Sequence, residues 1–120
     1  MNEAEIWRAH ADKDLAAVRV LLNNGLNGLA AFHAQQAVEK ALKARLLASQ
    51  GQLPRIHDLV VLGENSGLVF TEEEVNWMEE LNVLYTSARY PGGWGVLPGG
   101  QPSAADIQNY IGFVERLLNP

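Results

Sequence analysis

Cysteine is absent from the 120 residues, so no disulfide and no thiolate–metal staple can hold this chain together. None is needed, because a compact chain of this size buries about two-thirds of its unfolded surface. Its length fits one domain over residues 1–120. Basic residues are also scarce: 9 Lys and Arg stand against 14 Asp and Glu, a formal net charge of −5. That balance excludes a grip on duplex DNA by bulk electrostatics, while leaving room for cations gathered on one face. Long hydrophobic runs are missing too. The longest uncharged stretch, Val20 to Val38, is interrupted by Asn23, Asn24, Asn27, His33, Gln35 and Gln36, too polar for a membrane span. The chain opens Met1-Asn-Glu-Ala-Glu, with acids where a secretion signal carries positive charge, so a cytoplasmic protein is expected.

What is present reads as helix. From Glu3 to Asn23 the apolar residues Ile6, Trp7, Leu15, Val18, Leu21 and Leu22 recur at helical spacing, and Asn23-Asn24-Gly25 ends the run. A second helix spans Asn27 to Ser49, dense in strong helix formers, with Gly51 and Pro54 beyond its end. A short segment runs from His57 to Gly63, with Asp58 to cap it and Gly63 to terminate it. Thr71 and Glu74 form a capping box opening a helix that continues to about Arg89. The last helix begins at Ser103 and carries Ile107, Tyr110, Ile111, Val114, Leu117 and Leu118. With no strand pattern, the fold class is all-α, an up-and-down bundle of four long helices and a short fifth. The connection Pro91 to Pro102 is too rich in Gly and Pro for regular structure, and loops of this length are usually functional or mobile.

The second helix carries a polar line. His33, Gln36, Lys40 and Lys43 fall within an arc of roughly 80° at 100° per residue. The rest of that helix is substantially apolar, which places it at the centre of the bundle or between a core and a partner. Two readings of the line stand open. In one, His33 and Gln36 satisfy neighbouring helices, Lys40 and Lys43 reach outward, and Glu39 with Lys43 makes an i,i+4 pair. In the other, the line borders a cleft or dimer seam that receives an anionic group such as a phosphate.

The run Phe32-His-Ala-Gln-Gln-Ala-Val-Glu-Lys-Ala-Leu-Lys43 resembles the core helix of the HEPN domains, the "higher eukaryotes and prokaryotes nucleotide-binding" family, in its bacterial type. Ala11-Asp-Lys-Asp-Leu15 is similar to that family's first helix. Pro54-Arg-Ile-His-Asp-Leu59 and Ser87-Ala-Arg-Tyr-Pro91 resemble its His-Asp-Leu junction and Arg-Tyr-Pro segment, in the expected order. The resemblance implies a helical bundle, commonly a homodimer, often encoded beside a small nucleotidyltransferase in toxin–antitoxin-like pairs. Many relatives are metal-independent ribonucleases whose Arg is followed after four to six residues by a His, the His moving protons and the Arg stabilising phosphorane charge. Here the corresponding positions after Arg89 are Trp94, Gly95 and Val96, and Arg8 and Arg55 have a His only two residues on. The usual ribonuclease chemistry cannot be written on those residues.

The expectation is therefore a non-catalytic binding module for a nucleotide or RNA-derived anion, with His33, Gln36, Lys40, Lys43, Arg89 and Tyr90 as ligand contacts. An atypical metal-independent ribonuclease toxin and a purely structural dimerisation module are the alternatives. A homodimer meeting near the second and last helices, and a nucleotidyltransferase partner, are the expected associations. His57 and Asp58 are adjacent and face apart on a helix, so capping by Asp58 is the expectation there. Three scattered His without a ligand motif, and glycines without a preceding strand, lead to no expected metal or cofactor.

Overall fold

The computed structural model describes residues 1–87 and 101–120. Within them the chain forms five helices: α1 (Glu3–Asn23), α2 (Asn27–Gln50), α3 (Leu59–Asn65), α4 (Glu72–Ser87) and α5 (Ala104–Leu118). No strand occurs among the described residues. The all-α bundle expected from periodicity is the fold observed.

Alanine decides which helix lies at the centre. Ala30, Ala31, Ala34, Ala37, Ala41 and Ala44 are all buried along α2, and their short side chains let neighbouring helices approach closely. Helix α2 packs against α1, α3, α4 and α5. The apolar layer is completed by Leu42 and Leu46 of α2, Leu81 and Leu84 of α4, and Ile107, Phe113 and Val114 of α5. On α1 the buried line is Ala11, Leu15 and Val18, whereas Ile6, expected on that line, is 45% exposed. The physical reason is helical phase: Ile6 stands five residues before Ala11, about 140° round the helix at 100° per residue, and so falls off the Ala11–Leu15–Val18 line.

Local chemistry sets most of the ends. Gly51 closes α2 at φ +71°, a left-handed conformation in which any other L residue is strained. The Thr71–Glu74 capping box forms in both directions, Glu74 N–H donating to Thr71 Oγ1 at 3.1 Å and Thr71 N–H to Glu74 Oε1 at 2.9 Å. A second box, Ser103 with Asp106, opens α5. Asp58 caps α3, accepting from the amides of Val60 and Val61.

Gly63 does not terminate α3. It lies buried inside that helix, where an added Cβ would sit 3.0 Å from Phe70 Cε2; the turn falls instead at Gly67, φ +80°. The missing side chain serves a close approach of the Phe70 ring, which a capping argument does not detect. No helix among the described residues is long and apolar enough to cross a membrane.

Candidate functional site

The polar line of α2 is held by two carboxylates, one from α1 and one from α2 itself. Asp14 of α1 receives both His33 and Lys40: Oδ1 lies 3.1 Å from His33 Nδ1, and Oδ2 accepts from Lys40 Nζ at 2.6 Å. Glu39 receives three groups. Its Oε1 accepts from Gln35 Nε2 at 3.0 Å, while Oε2 meets Lys43 Nζ at 3.0 Å and His57 Nδ1 at 2.9 Å. Gln36 joins the same chain by donating to Gln35 Oε1 at 2.6 Å. No buried side-chain nitrogen or oxygen among the described residues lacks a partner.

Exposure separates the members. Gln35, Glu39 and Lys43 are buried, whereas His33, Gln36 and Lys40 are half-buried and open in part to solvent. Lys43 therefore does not reach outward. Its stem folds back to Glu39 one turn earlier, and its ammonium lies 5.9 Å from the centre of the Trp7 ring. The expected Glu39–Lys43 pair is present, but in the interior rather than on a solvated face.

His57 lies beside Glu39, on the segment leading into α3. Its ring stacks on Tyr85 of α4, with centroids 5.1 Å apart and planes 21° from parallel. Next to it, Asn82 Nδ2 donates to Asp58 Oδ1 at 3.0 Å, and its own Oδ1 accepts from Leu59 N–H at 2.9 Å. His57, Asp58, Asn82, Tyr85 and Thr86 line a hollow of about 200 Å³. A second hollow, about 340 Å³, opens on the far flank among Ile6, Trp7, His10 and Lys40.

Both rings are thus oriented alike. His33 and His57 each present Nδ1 to a carboxylate, leaving Nε2 as the atom available to a ligand. Lys40 is paired with Asp14 and Lys43 with Glu39. On the His33 side such an arrangement can meet an anion through Lys40 with His33 beside it, while His57 stands with Glu39 in a separate hollow. No three His, Asp or Glu residues among those described are grouped to hold a metal.

His33 and Lys40 are therefore brought together on Asp14, and Gln36 and Lys43 on the Glu39 cluster, while Arg89, Tyr90 and the loop 91–100 lie outside the described residues. The sequence reading missed Asp14, Gln35, Glu39, His57 and Tyr85 as members. A signal existed for two of them: Asp14 lies on the Ala11–Leu15–Val18 stripe of α1, and Glu39 beside Val38 and Leu42 on α2. An acid on an apolar stripe must find a partner in the interior.

A bundle built round one alanine-rich helix, whose single polar line is fastened by carboxylates, defines the class of this protein. The chain belongs to the HEPN domain family, whose model matches residues 4–120. It is similar to the crystal structure of an archaeal HEPN homologue, ST0689, at 28% identity and a TM-score of 0.70, covering 99% of this chain and 94% of that one. It is also similar to TT1696 from Thermus thermophilus, at 25% identity and a TM-score of 0.75, covering 98% and 94% of the two chains. No curated protein matches the chain.

Proposed function

We propose that this chain is a non-catalytic binding module for a nucleotide or an RNA-derived anion, received on the α2 line. The observation that carries this reading is the pair of carboxylate-tethered imidazoles. His33 is fixed by Asp14 with Nε2 left over, beside a Lys40 that is only partly covered, and His57 is fixed in the same way on Glu39. Beside His33 a phosphate oxygen meets the Lys40 ammonium, which is shared with Asp14, and an imidazole whose Nε2 donates only when the ring carries its second proton. Arg89 and Tyr90, which follow α4 in the sequence, are the further contacts of the proposal. A nucleotidyltransferase as working partner, in a toxin–antitoxin-like pair, is part of the same proposal and rests on the family.

Isothermal titration with mononucleotides and short RNA tests this. Saturable binding is expected, weakened at least tenfold by Lys40→Ala combined with Arg89→Ala. No binding, or binding indifferent to those changes, overturns the assignment. RNA cleavage in EDTA that is lost in Arg89→Ala would instead support the ribonuclease alternative.

A second reading has its own observation. Leu26 and Leu29, at the start of α2, are 48% and 39% exposed, next to the polar line. Apolar side chains left out on the central helix favour a homodimer seam along its N-terminal turns. The expected contribution of α5 has no such support, since none of its large apolar side chains is exposed. Sedimentation of Leu29→Glu against the unaltered chain decides it: a dimer that becomes a monomer supports the seam.

A further inference from the structure

We infer that a second anion site lies between α1, the C-terminal half of α2 and the end of α5, and that it takes a phosphate monoester with a small apolar body. A hollow of about 360 Å³ opens there. Buried Ala41, Ala44, Leu117 and Leu118 form its floor, and Arg8 and Arg45 border it.

The two arginines carry the argument. In a chain with an excess of acids, Arg19, Lys40, Lys43 and Arg116 each hold a carboxylate. Lys13 and Arg55 stand out in solvent. Arg45, by contrast, is half-buried and makes no hydrogen bond or ion pair; Arg8, exposed on α1, holds no carboxylate and makes only a 3.4 Å contact with Asn119 Oδ1. A guanidinium keeps its charge in any surroundings, so a half-covered one without a counter-ion is under-solvated until an anion arrives. Glu5 is the one acidic residue lining the hollow, and its carboxylate already accepts from Asn2 Nδ2 at 3.1 Å.

Oxygen count and size then choose the ligand class. With Glu5 at the rim the net charge alone does not decide, but a phosphate monoester offers three acceptor oxygens for two guanidinium forks where a carboxylate offers two. The alanine and leucine floor has no polar side chain to hydrate, so it suits a ring or short acyl body. Ligand pockets run from about 300 to 1,000 Å³, and this one is at the small end, which excludes a dinucleotide.

Titration of the full chain with phenyl phosphate, followed by amide NMR shifts, tests the site. Saturable shifts at Ala44, Arg45 and Leu118 are expected. Arg8→Gln and Arg45→Gln should each weaken binding at least tenfold, and Arg45→Lys, which keeps charge but loses the fork, by a smaller factor. Since Arg45 has no partner to lose, its variants should keep the thermal midpoint of the parent. Lys40→Gln should leave this binding unchanged, which separates the site from the α2 line. Absence of saturable shifts, indifference to both arginine variants, or loss of binding in Lys40→Gln overturns the inference. Inorganic phosphate or benzoate binding as tightly as phenyl phosphate also overturns it, by removing the apolar body or the phosphate from the requirement.

Discussion

Glu39 is the residue on which the interior polar network turns. It is 7% exposed and takes donors from Gln35, Lys43 and His57, while Lys43 is itself 5% exposed. Removing one partner of a buried pair leaves an uncompensated charge, at a cost of about 3–5 kcal/mol. Glu39→Gln keeps an acceptor for Gln35 but strands the Lys43 ammonium, so chemical denaturation should report a loss of that size. Adding Lys43→Met removes the stranded charge and should recover part of it, although each substitution alone destabilises. Strictly additive losses would show that the two side chains are not energetically coupled. This pair was half visible in the sequence, as i,i+4 spacing. Its third member was not, because His57 stands 18 residues from Glu39 and nothing local links them. Asp14 and Lys40, 26 residues apart, were invisible for the same reason.

At the scale of elements, ends were legible wherever capping chemistry is local. Gly51, Thr71 with Glu74, and Asp58 all act within four residues of the end they set. Gly63 misled because its use is tertiary, an approach by Phe70 that only the folded chain reveals. Asp58 also does more than cap: through Asn82 it ties the start of α3 to α4. Asp58→Ala should therefore cost about 1–2 kcal/mol in urea unfolding, the upper part of the usual cap range, and Asp58→Ser should restore most of it. A further tie joins α4 to α5. Arg116 donates to both oxygens of Glu74 and to the Val69 carbonyl. Burial alone would raise the Glu74 carboxyl, but Arg116 and Thr71 together bring it below its ordinary value of 4.5. The folded carboxyl thus holds its proton less tightly than the unfolded one. Its contribution is complete above the ordinary carboxylate range and is lost as the pH falls through the lowered value. Arg116→Met should cost stability at pH 7, and thermal midpoints of variant and parent should converge as the pH drops below about 4. A constant gap across that range would place the effect of Arg116 outside this ion pair.

For the whole molecule, the charge count and the network make one joint demand on any nucleic acid. The formal charge is −5, and among the described residues the cations of the α2 line are already matched by Asp14 and Glu39. Glu72, Glu73, Glu79 and Glu80 add an acidic α4 alongside. A single phosphate can settle on the half-open His33 and Lys40 edge, and the Arg8–Arg45 hollow has room for one more, but along α4 each further phosphate of a strand meets surface of its own sign. Affinity should therefore not grow with length: a uridine 8-mer should bind no more than about threefold tighter than a mononucleotide, the statistical gain from repeated sites aside. The salt dependence should be shallow as well. Single strands lose affinity with a log–log slope of about −0.7 per neutralised phosphate, so a slope between about −0.7 and −1.4 is expected for one or two contacts. Fluorescence polarisation across oligomer length and salt concentration reads both quantities. Affinity that climbs with every added nucleotide, with a slope steeper than about −3, would mean a cationic track that the charges of α1, α2 and α4 do not supply, and would shift the binding face to Arg89 and the segment beyond it.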